Sequence, residues 1–208
     1  MTDTKEQILM TALHLFARDG YEAVSVRTIA EALGMTKGAL YKHYRNKRDI
    51  FDHIVERMFQ IDAQRAQNYD VPEQTYEAAP SQYQCRELCH IKSFTMAQLF
   101  FWTADDFASS FRRMLSLERY RNPEMGKLYS DCITEGPVSY MEDIFREMMA
   151  EGVLKEADPK QLAVEYYAPL YLLIQMWDGS VDRETLTKLL ENHIDRFVQA
   201  NTGKELVK

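Results

Sequence analysis

Apolar positions recur at helical spacing along most of the chain, and each stripe is bounded by a residue that can start or stop a helix. Ile8, Leu9, Ala12, Leu13 and Phe16 share one face of a helix predicted over Lys5–Arg18, with Thr4 able to cap its start and Gly20 able to end it. Ser25 opens a short helix whose apolar face is Val26, Ile29, Ala30 and Leu33, and Gly34 stops it. Thr36 caps a third helix, predicted from Lys37 to about Tyr44 with Leu40 facing inward. Asn46 caps a fourth, longer one carrying Ile50, Phe51, Ile54, Val55, Met58 and Phe59.

The pattern weakens between Asn68 and Gln84, where Pro72 and Pro80 sit among polar residues and predict a loop. It resumes over Arg86–Thr103, where Leu88, Ile91, Thr95, Leu99 and Trp102 lie on one face beside Phe94, Ala97 and Phe101. Asp105 starts a helix bearing Phe107, Phe111, Met114 and Leu115. Asn122-Pro123 starts the next, Gly136-Pro137 breaks it, and Tyr140–Ala150 continues. Asp158-Pro159 opens a helix striped by Ala163, Tyr166, Tyr167, Leu170, Ile174 and Trp177, kinked at Pro169; Asp178-Gly179 reads as a turn. The last helix, about Arg183–Ala200, carries Leu186, Leu189, Leu190, His193, Ile194 and Phe197. The fold class is therefore all-α, with about nine helices and no strand. The expected division is a three-helix head over residues 1–47 and a larger helical bundle over 48–208.

The spacing inside Val26–Tyr44 is the most specific feature. Two helices that cross closely need a small residue at the crossing, which Ala30 supplies. Four positions on, a sharp turn favours a residue tolerant of positive φ, and Gly34 stands there. Ile29, Leu33, Met35 and Leu40 fall where the helices must lock together. This is the pattern of a helix-turn-helix, whose second helix enters the major groove of DNA. Thr36, Lys37, Tyr41, Lys42 and His43 can donate hydrogen bonds from its outer face, while Gly38 and Ala39 allow close approach to base edges or thymine methyls. Tyr41 and Lys47 are placed to hold phosphates, and Arg27 to reach a phosphate or a guanine.

Charge sharpens this reading. The net charge is −7, yet Val26–Arg48 holds six Lys or Arg against the single acid Glu31, a surplus of five positive charges that leaves −12 for the rest. DNA binding needs a basic patch, not a basic protein.

Ile8–Gly20, Val24–Ala30, Leu33–Tyr44 and Asn46-Lys47 together resemble the TetR family of bacterial transcriptional regulators, over roughly the first quarter of the chain. The resemblance implies an all-helical homodimer that binds a palindromic operator, usually as a repressor, and is released by a small molecule held in the C-terminal bundle. Positions matching family DNA contacts are Arg27, Thr28, Thr36, Lys37, Gly38, Ala39, Tyr41, Lys42, His43 and Lys47. Tyr44 stands where the family more often has phenylalanine, and is expected to pack inward with its hydroxyl at the surface. Dimers of the family form through the last two helices. That points to Tyr166, Leu170, Ile174, Trp177, Leu186, Leu190, His193, Ile194 and Phe197 as an interface, the alternative being that these stripes cover their own chain's core.

Aromatics crowd the middle of the chain. As a ligand cavity they would place Phe94, Phe101, Trp102, Phe107, Phe111, Tyr129, Tyr140, Tyr167 and Tyr171 around a small, largely apolar or aromatic ligand; ordinary core packing is the competing reading. Asp105-Asp106 reads as helix capping before it reads as a site for a cationic ligand. Cys85-x3-Cys89-His90 lacks a second ligand pair nearby, so neither a metal nor a redox role is assigned, and no cofactor is called for. Nothing matches a nucleophile elbow, a phosphate-cradling glycine loop or a metal quartet, so no enzyme is expected. The start lacks a signal-peptide pattern and no apolar run is long enough to span a bilayer, which makes a cytoplasmic protein the expectation. A ligand-binding or interaction protein with a vestigial DNA-binding head is the rival reading.

Overall fold

A computed structural model describes residues 3–69, 88–178 and 181–202. Ten helices and no strand occur among the described residues: α1 (Thr4–Asp19), α2 (Val26–Ala32), α3 (Lys37–Leu40), α4 (Lys47–Asn68), α5 (Leu88–Ala104), α6 (Asp106–Glu118), α7 (Pro123–Ile133), α8 (Glu135–Ala150), α9 (Pro159–Asp178) and α10 (Arg183–Asn201). The loop expected around Pro72 and Pro80, Cys85 with the side chain of Cys89, and Gly179 of the expected turn lie outside the described residues.

The helix starts follow the sequence closely. Asn46, Asp105, Asp158 and Asp182 each accept a backbone N–H three residues on, satisfying an otherwise orphaned donor. Asp3, not Thr4, caps α1, its carboxylate accepting from the Lys5 amide at 3.1 Å. The break in the middle of the chain falls at Thr134, two residues before Gly136-Pro137, because Pro137 is tolerated in the first turn of α8.

The chain forms two compact units, Met1–Ala63 with Ala104–Tyr129 and Gln64–Thr103 with Ser130–Lys208. The unit holding the head is larger than residues 1–47, because α6 packs along α1 and contributes the buried Phe107, Phe111, Met114 and Leu115. The core of this unit also includes Ile8, Leu13, Phe16, Ile29, Leu40, Ile50, Phe51 and Ile54. The exposed Asp106 receives His14 of α1 at 2.9 Å, and Asp105 is spent on the cap of α6, so the capping reading of the acidic pair stands.

In the second unit α9 packs against α8 and α10. Phe145 stacks on Phe197, with centroids 5.4 Å apart, and Tyr166 meets both edge-on. The Tyr166 hydroxyl bonds Thr95 at 2.8 Å, and its carbonyl accepts from His193 Nε2 at 2.9 Å.

Tyr166, Leu170, Ile174, Leu186, Leu190, Ile194 and Phe197, expected at a dimer interface, are buried within the single chain, and Trp177 and His193 are half-buried. They form the apolar face that each helix turns inward, leaving a different stripe for any partner. The nine aromatics expected around one cavity divide between the units: Phe107, Phe111 and Tyr129 in the first, Phe94, Phe101, Trp102, Tyr140, Tyr167 and Tyr171 in the second. Tyr167 donates its hydroxyl to the Ile133 carbonyl at 2.7 Å and so serves packing. Among the described residues, no helix is long and apolar enough to cross a membrane, and no cluster of three or more His, Cys, Asp or Glu could hold a metal.

Candidate nucleic-acid interface

The reading element is built around two fully buried side chains and one glycine. Ile29 and Leu40 are wholly buried and Ala30 nearly so, which brings α2 and α3 together at the small residue. Gly34 has φ +63°, and a Cβ there would meet only open space, so the constraint is the backbone conformation itself. The Gly34 amide donates to the Glu31 carbonyl and the Met35 amide to that of Ala30, closing α2 in a Schellman motif that turns the chain sharply into α3.

Thr36 then caps α3, its hydroxyl accepting from the Ala39 amide at 3.1 Å. The helix proper is one turn, Lys37–Leu40. Beyond it Lys42 and His43 donate to carbonyls three residues back, so the expected run to Tyr44 tightens into turns while keeping its direction. Leu40 faces inward, and Thr36, Lys37, Gly38, Tyr41, Lys42 and His43 are exposed on the other side, with Ala39 half-buried. The Lys37 ammonium lies 5.5 Å from the centroid of the Tyr41 ring, which holds the two side chains together on one face. Lys37 and Lys42 have no carboxylate within ion-pair distance among the described residues.

The remaining cations of the basic window are engaged within the protein. Arg27 pairs with Glu31 at 2.7 Å, and the hydrogen bond to that carboxylate raises its already high pKa. Both side chains are exposed, and such pairs are weak and screened by salt. Thr28 bonds the Ser25 hydroxyl, which caps α2. Lys47, expected on a phosphate, donates to the Tyr21 carbonyl at 2.8 Å and lies 4.2 Å from the centre of the Tyr21 ring. Arg48 grips Asp52 and, with both terminal nitrogens, Glu124 at 2.5 and 2.6 Å.

Tyr44 packs inward as expected, but its hydroxyl is not at the surface. It donates to the Lys5 carbonyl at 3.2 Å, and burial pushes its pKa up to about 12. The correction follows from the position of α1, whose first turn passes over the ring.

Sequence reasoning missed Asp49. Its carboxylate accepts from the Arg45 side chain at 2.9 Å and from the Arg45 amide at 2.8 Å, while its own amide donates to Asn46. The Arg45 hydrogen bonds hold this carboxyl below the usual carboxylate range. The spacing Asn46-x-x-Asp49 is the signal of such a reciprocal cap, and it fixes where α3 ends and α4 begins.

Comparisons with known proteins agree with this geometry. Residues 8–54 match the family model described as bacterial regulatory proteins, tetR family. The uncharacterized HTH-type transcriptional regulator YhgD of Bacillus subtilis is 23% identical over 209 residues, covering 96% of this chain and 98% of its own. The HTH-type transcriptional regulator AcrR of Shigella flexneri is 43% identical over 54 residues, which span 26% of this chain and only 25% of AcrR. Among solved structures, SmeT, the repressor of the Stenotrophomonas maltophilia multidrug efflux pump SmeDEF, shares the fold with a TM-score of 0.65 at 19% identity, over 100% of this chain and 94% of its own. A helix-turn-helix with an exposed basic reading face, matched over residues 8–54 by the tetR family model, makes this end of the chain a TetR-type DNA-binding domain, in a chain similar along its length to an HTH-type transcriptional regulator and sharing the fold of a solved repressor.

Proposed function

We propose that the protein is a repressor that binds a palindromic operator as a homodimer and is released by a small-molecule ligand. The carrying observation is the reading face itself: Thr36 fixes the start of α3, and Lys37, Gly38, Tyr41, Lys42 and His43 stand exposed around it. In this reading Thr36–His43 face the groove, Arg27 and Thr28 meet the adjoining backbone or a guanine, and Tyr41 and Lys47 hold phosphate. Residues 1–47 carry DNA reading, and residues 48–208 carry ligand response and dimerisation.

The outward faces of α9 and α10 support the dimer. Val164, Leu172 and Leu189 are 42%, 58% and 45% exposed, and Ala168 lies one turn from each of the first two. Two copies joined there would present two reading helices, as a palindrome requires. Support for a ligand is more general: SmeT, which shares the fold, has been solved in complex with triclosan. A ligand releases DNA only if it binds the DNA-incompetent arrangement more tightly.

Selection of the preferred duplex from a random library tests the reading. A palindrome whose half-sites lie about one helical turn apart, ~34–36 Å, is expected. Compounds are then screened for release of that duplex. Failure to enrich any sequence would overturn the proposal in favour of a head that no longer binds DNA.

A further inference from the structure

The turn joining α1 to α2 is held from two sides. From one side, Lys47 in the first turn of α4 donates to the Tyr21 carbonyl at 2.8 Å and reaches that of Glu22 at 3.5 Å. The Tyr21 ring beneath it is locked edge-on against Phe16 and tilted against Phe51, with centroids 5.0 and 5.3 Å away. From the other side comes Glu118, the last residue of α6. Its Oε1 accepts from the Glu22 amide at 3.4 Å and lies 2.7 Å from where a Cβ on Gly20 would stand. Gly20 has φ +87°, a backbone conformation that side chains rarely adopt, and with no Cβ there the Glu118 carboxyl can come close to the turn.

Glu118 is an expensive way to fill this place. It is 3% exposed, and its Oε2 is buried without a hydrogen-bond partner among the described residues. A buried carboxyl oxygen left unsatisfied costs stability, and an apolar side chain of similar volume would avoid that cost. Groups retained at such a cost are candidates for function, because natural sequences depart from the most stable choice mainly where a site needs it.

We propose that Glu118 is a positioning residue for DNA binding. Its carboxyl holds the Gly20–Glu22 turn in the place from which the Tyr21 and Glu22 carbonyls hold Lys47, so the end of α6 sets where the Lys47 ammonium is presented to phosphate. The neighbouring contact of Arg48 with Glu124 ties the same turn of α4 to the start of α7. The proposal rests on the reading of Lys47 as a phosphate contact.

The test uses the full chain with Glu118→Met, which keeps the bulk and removes the acceptor, and Glu118→Gln, which keeps a carbonyl acceptor. Amide exchange at Glu22 is measured without DNA, and affinity for the selected duplex is measured across a salt series. The Met variant is expected to keep or raise the wild-type melting temperature, to exchange the Glu22 amide about tenfold faster and to bind the duplex about tenfold more weakly, the scale of one lost hydrogen bond. Its salt slope should fall, because Lys47 is no longer presented. The Gln variant should recover both exchange and affinity, and it also serves if the Met variant does not fold. A merely structural role would change the melting temperature and leave the salt slope alone. Wild-type Glu22 protection and affinity in the Met variant would overturn the proposal. So would faster exchange with unchanged affinity, since the clamp would then hold the turn without placing Lys47. If the wild-type protein itself selects no duplex, the DNA reading fails and the role of Glu118 with it, while Glu22 exchange still reports whether the clamp exists.

Discussion

Replacing Leu172 with aspartate should separate two chains without unfolding either. Burying a whole leucine side chain contributes about 1.5–3 kcal/mol, and Leu172 keeps 58% of its surface exposed, so covering the remainder is worth about 1–1.7 kcal/mol per copy. A two-fold interface buries it twice, giving about 2–3 kcal/mol, or roughly 30–150-fold in the dimer dissociation constant for Leu172→Ala. Leu172→Asp adds two carboxylates that must lose water in an apolar stripe, so the dimer should be lost at micromolar concentration. Sedimentation velocity over a concentration series reads this directly, and mobility shifts on the full palindrome and on one half-site should show binding to the palindrome falling toward that to the half-site. The melting temperature of the separated chain should hold, because the residue faces solvent. Leu190→Ala provides the contrast: Leu190 is fully buried, so its truncation should cost about 2–5 kcal/mol of chain stability. A Leu172→Asp protein that still sediments as the wild-type dimer would refute the assignment of this face.

Removing the cap of the reading helix with Thr36→Ala should cost about 1 kcal/mol in denaturant unfolding and weaken DNA binding, with Thr36→Ser recovering both. Lys37→Ala should change which duplexes are selected, whereas Lys47→Ala should weaken binding to all of them and reduce the salt slope by about 1; identical slopes for Lys47→Ala and wild type would remove Lys47 from the phosphate contacts. Salt slopes should be steeper on the selected duplex than on random DNA, because only a seated head exchanges its internal ion pairs for phosphates; equal slopes would show that the pairs stay closed. Hydrogen bonds from Arg48 hold the Glu124 carboxyl below its usual range, as those from Arg45 do for Asp49. A carboxyl whose folded pKa is depressed adds stability above its unfolded pKa and loses it as pH falls through the folded one. Urea midpoints should therefore drop below about pH 4, and Glu124→Gln should flatten part of that decline.

The head was legible in the sequence because its demands are local. Ser25, Ala30, Gly34, Thr36 and Asn46 each stand where a cap, a crossing or a turn admits few residue types, and each takes the expected place. Side-chain partners were less legible. Lys47 reads as a phosphate contact by its position in the chain, yet its partner in the free protein is a carbonyl twenty-six residues away, which no local pattern encodes. The last two helices show a different limit. Periodicity identifies the apolar face of α9 and α10, and that face proved to be each helix's contribution to its own core. Val164, Leu172 and Leu189 lie on the weaker, outward stripe, where apolar residues alternate with Glu165, Lys188 and Asn192. A helix with two apolar faces shows its stronger one in the sequence, and a core outweighs an interface in that contest. The aromatics show a related limit: closeness in the chain between Phe101 and Phe107 does not place them in one compact unit.

The charge of the head takes on a different meaning once its partners are known. Six cations over Val26–Arg48 suggest a strong, indiscriminate attraction for DNA. Arg27, Arg45 and Arg48 each pair with a carboxylate, and Lys47 is held on two carbonyls with the Glu22 carboxylate 3.9 Å away, which leaves Lys37 and Lys42 without an ion-pair partner among the described residues. Those two flank Gly38 and Ala39, where the backbone can come closest to the base edges. If the head reads DNA as proposed, a random encounter meets arginines partly offset by their own carboxylates, and phosphates in register can replace those weakly held partners. On a chain whose remaining residues carry −12, that arrangement would make affinity depend on fit. On the proposed reading the basic window would serve discrimination as well as attraction, and the acids that pair with it within the protein, Glu22, Glu31, Asp49, Asp52 and Glu124, would take part in recognition by holding its cations until phosphates replace them.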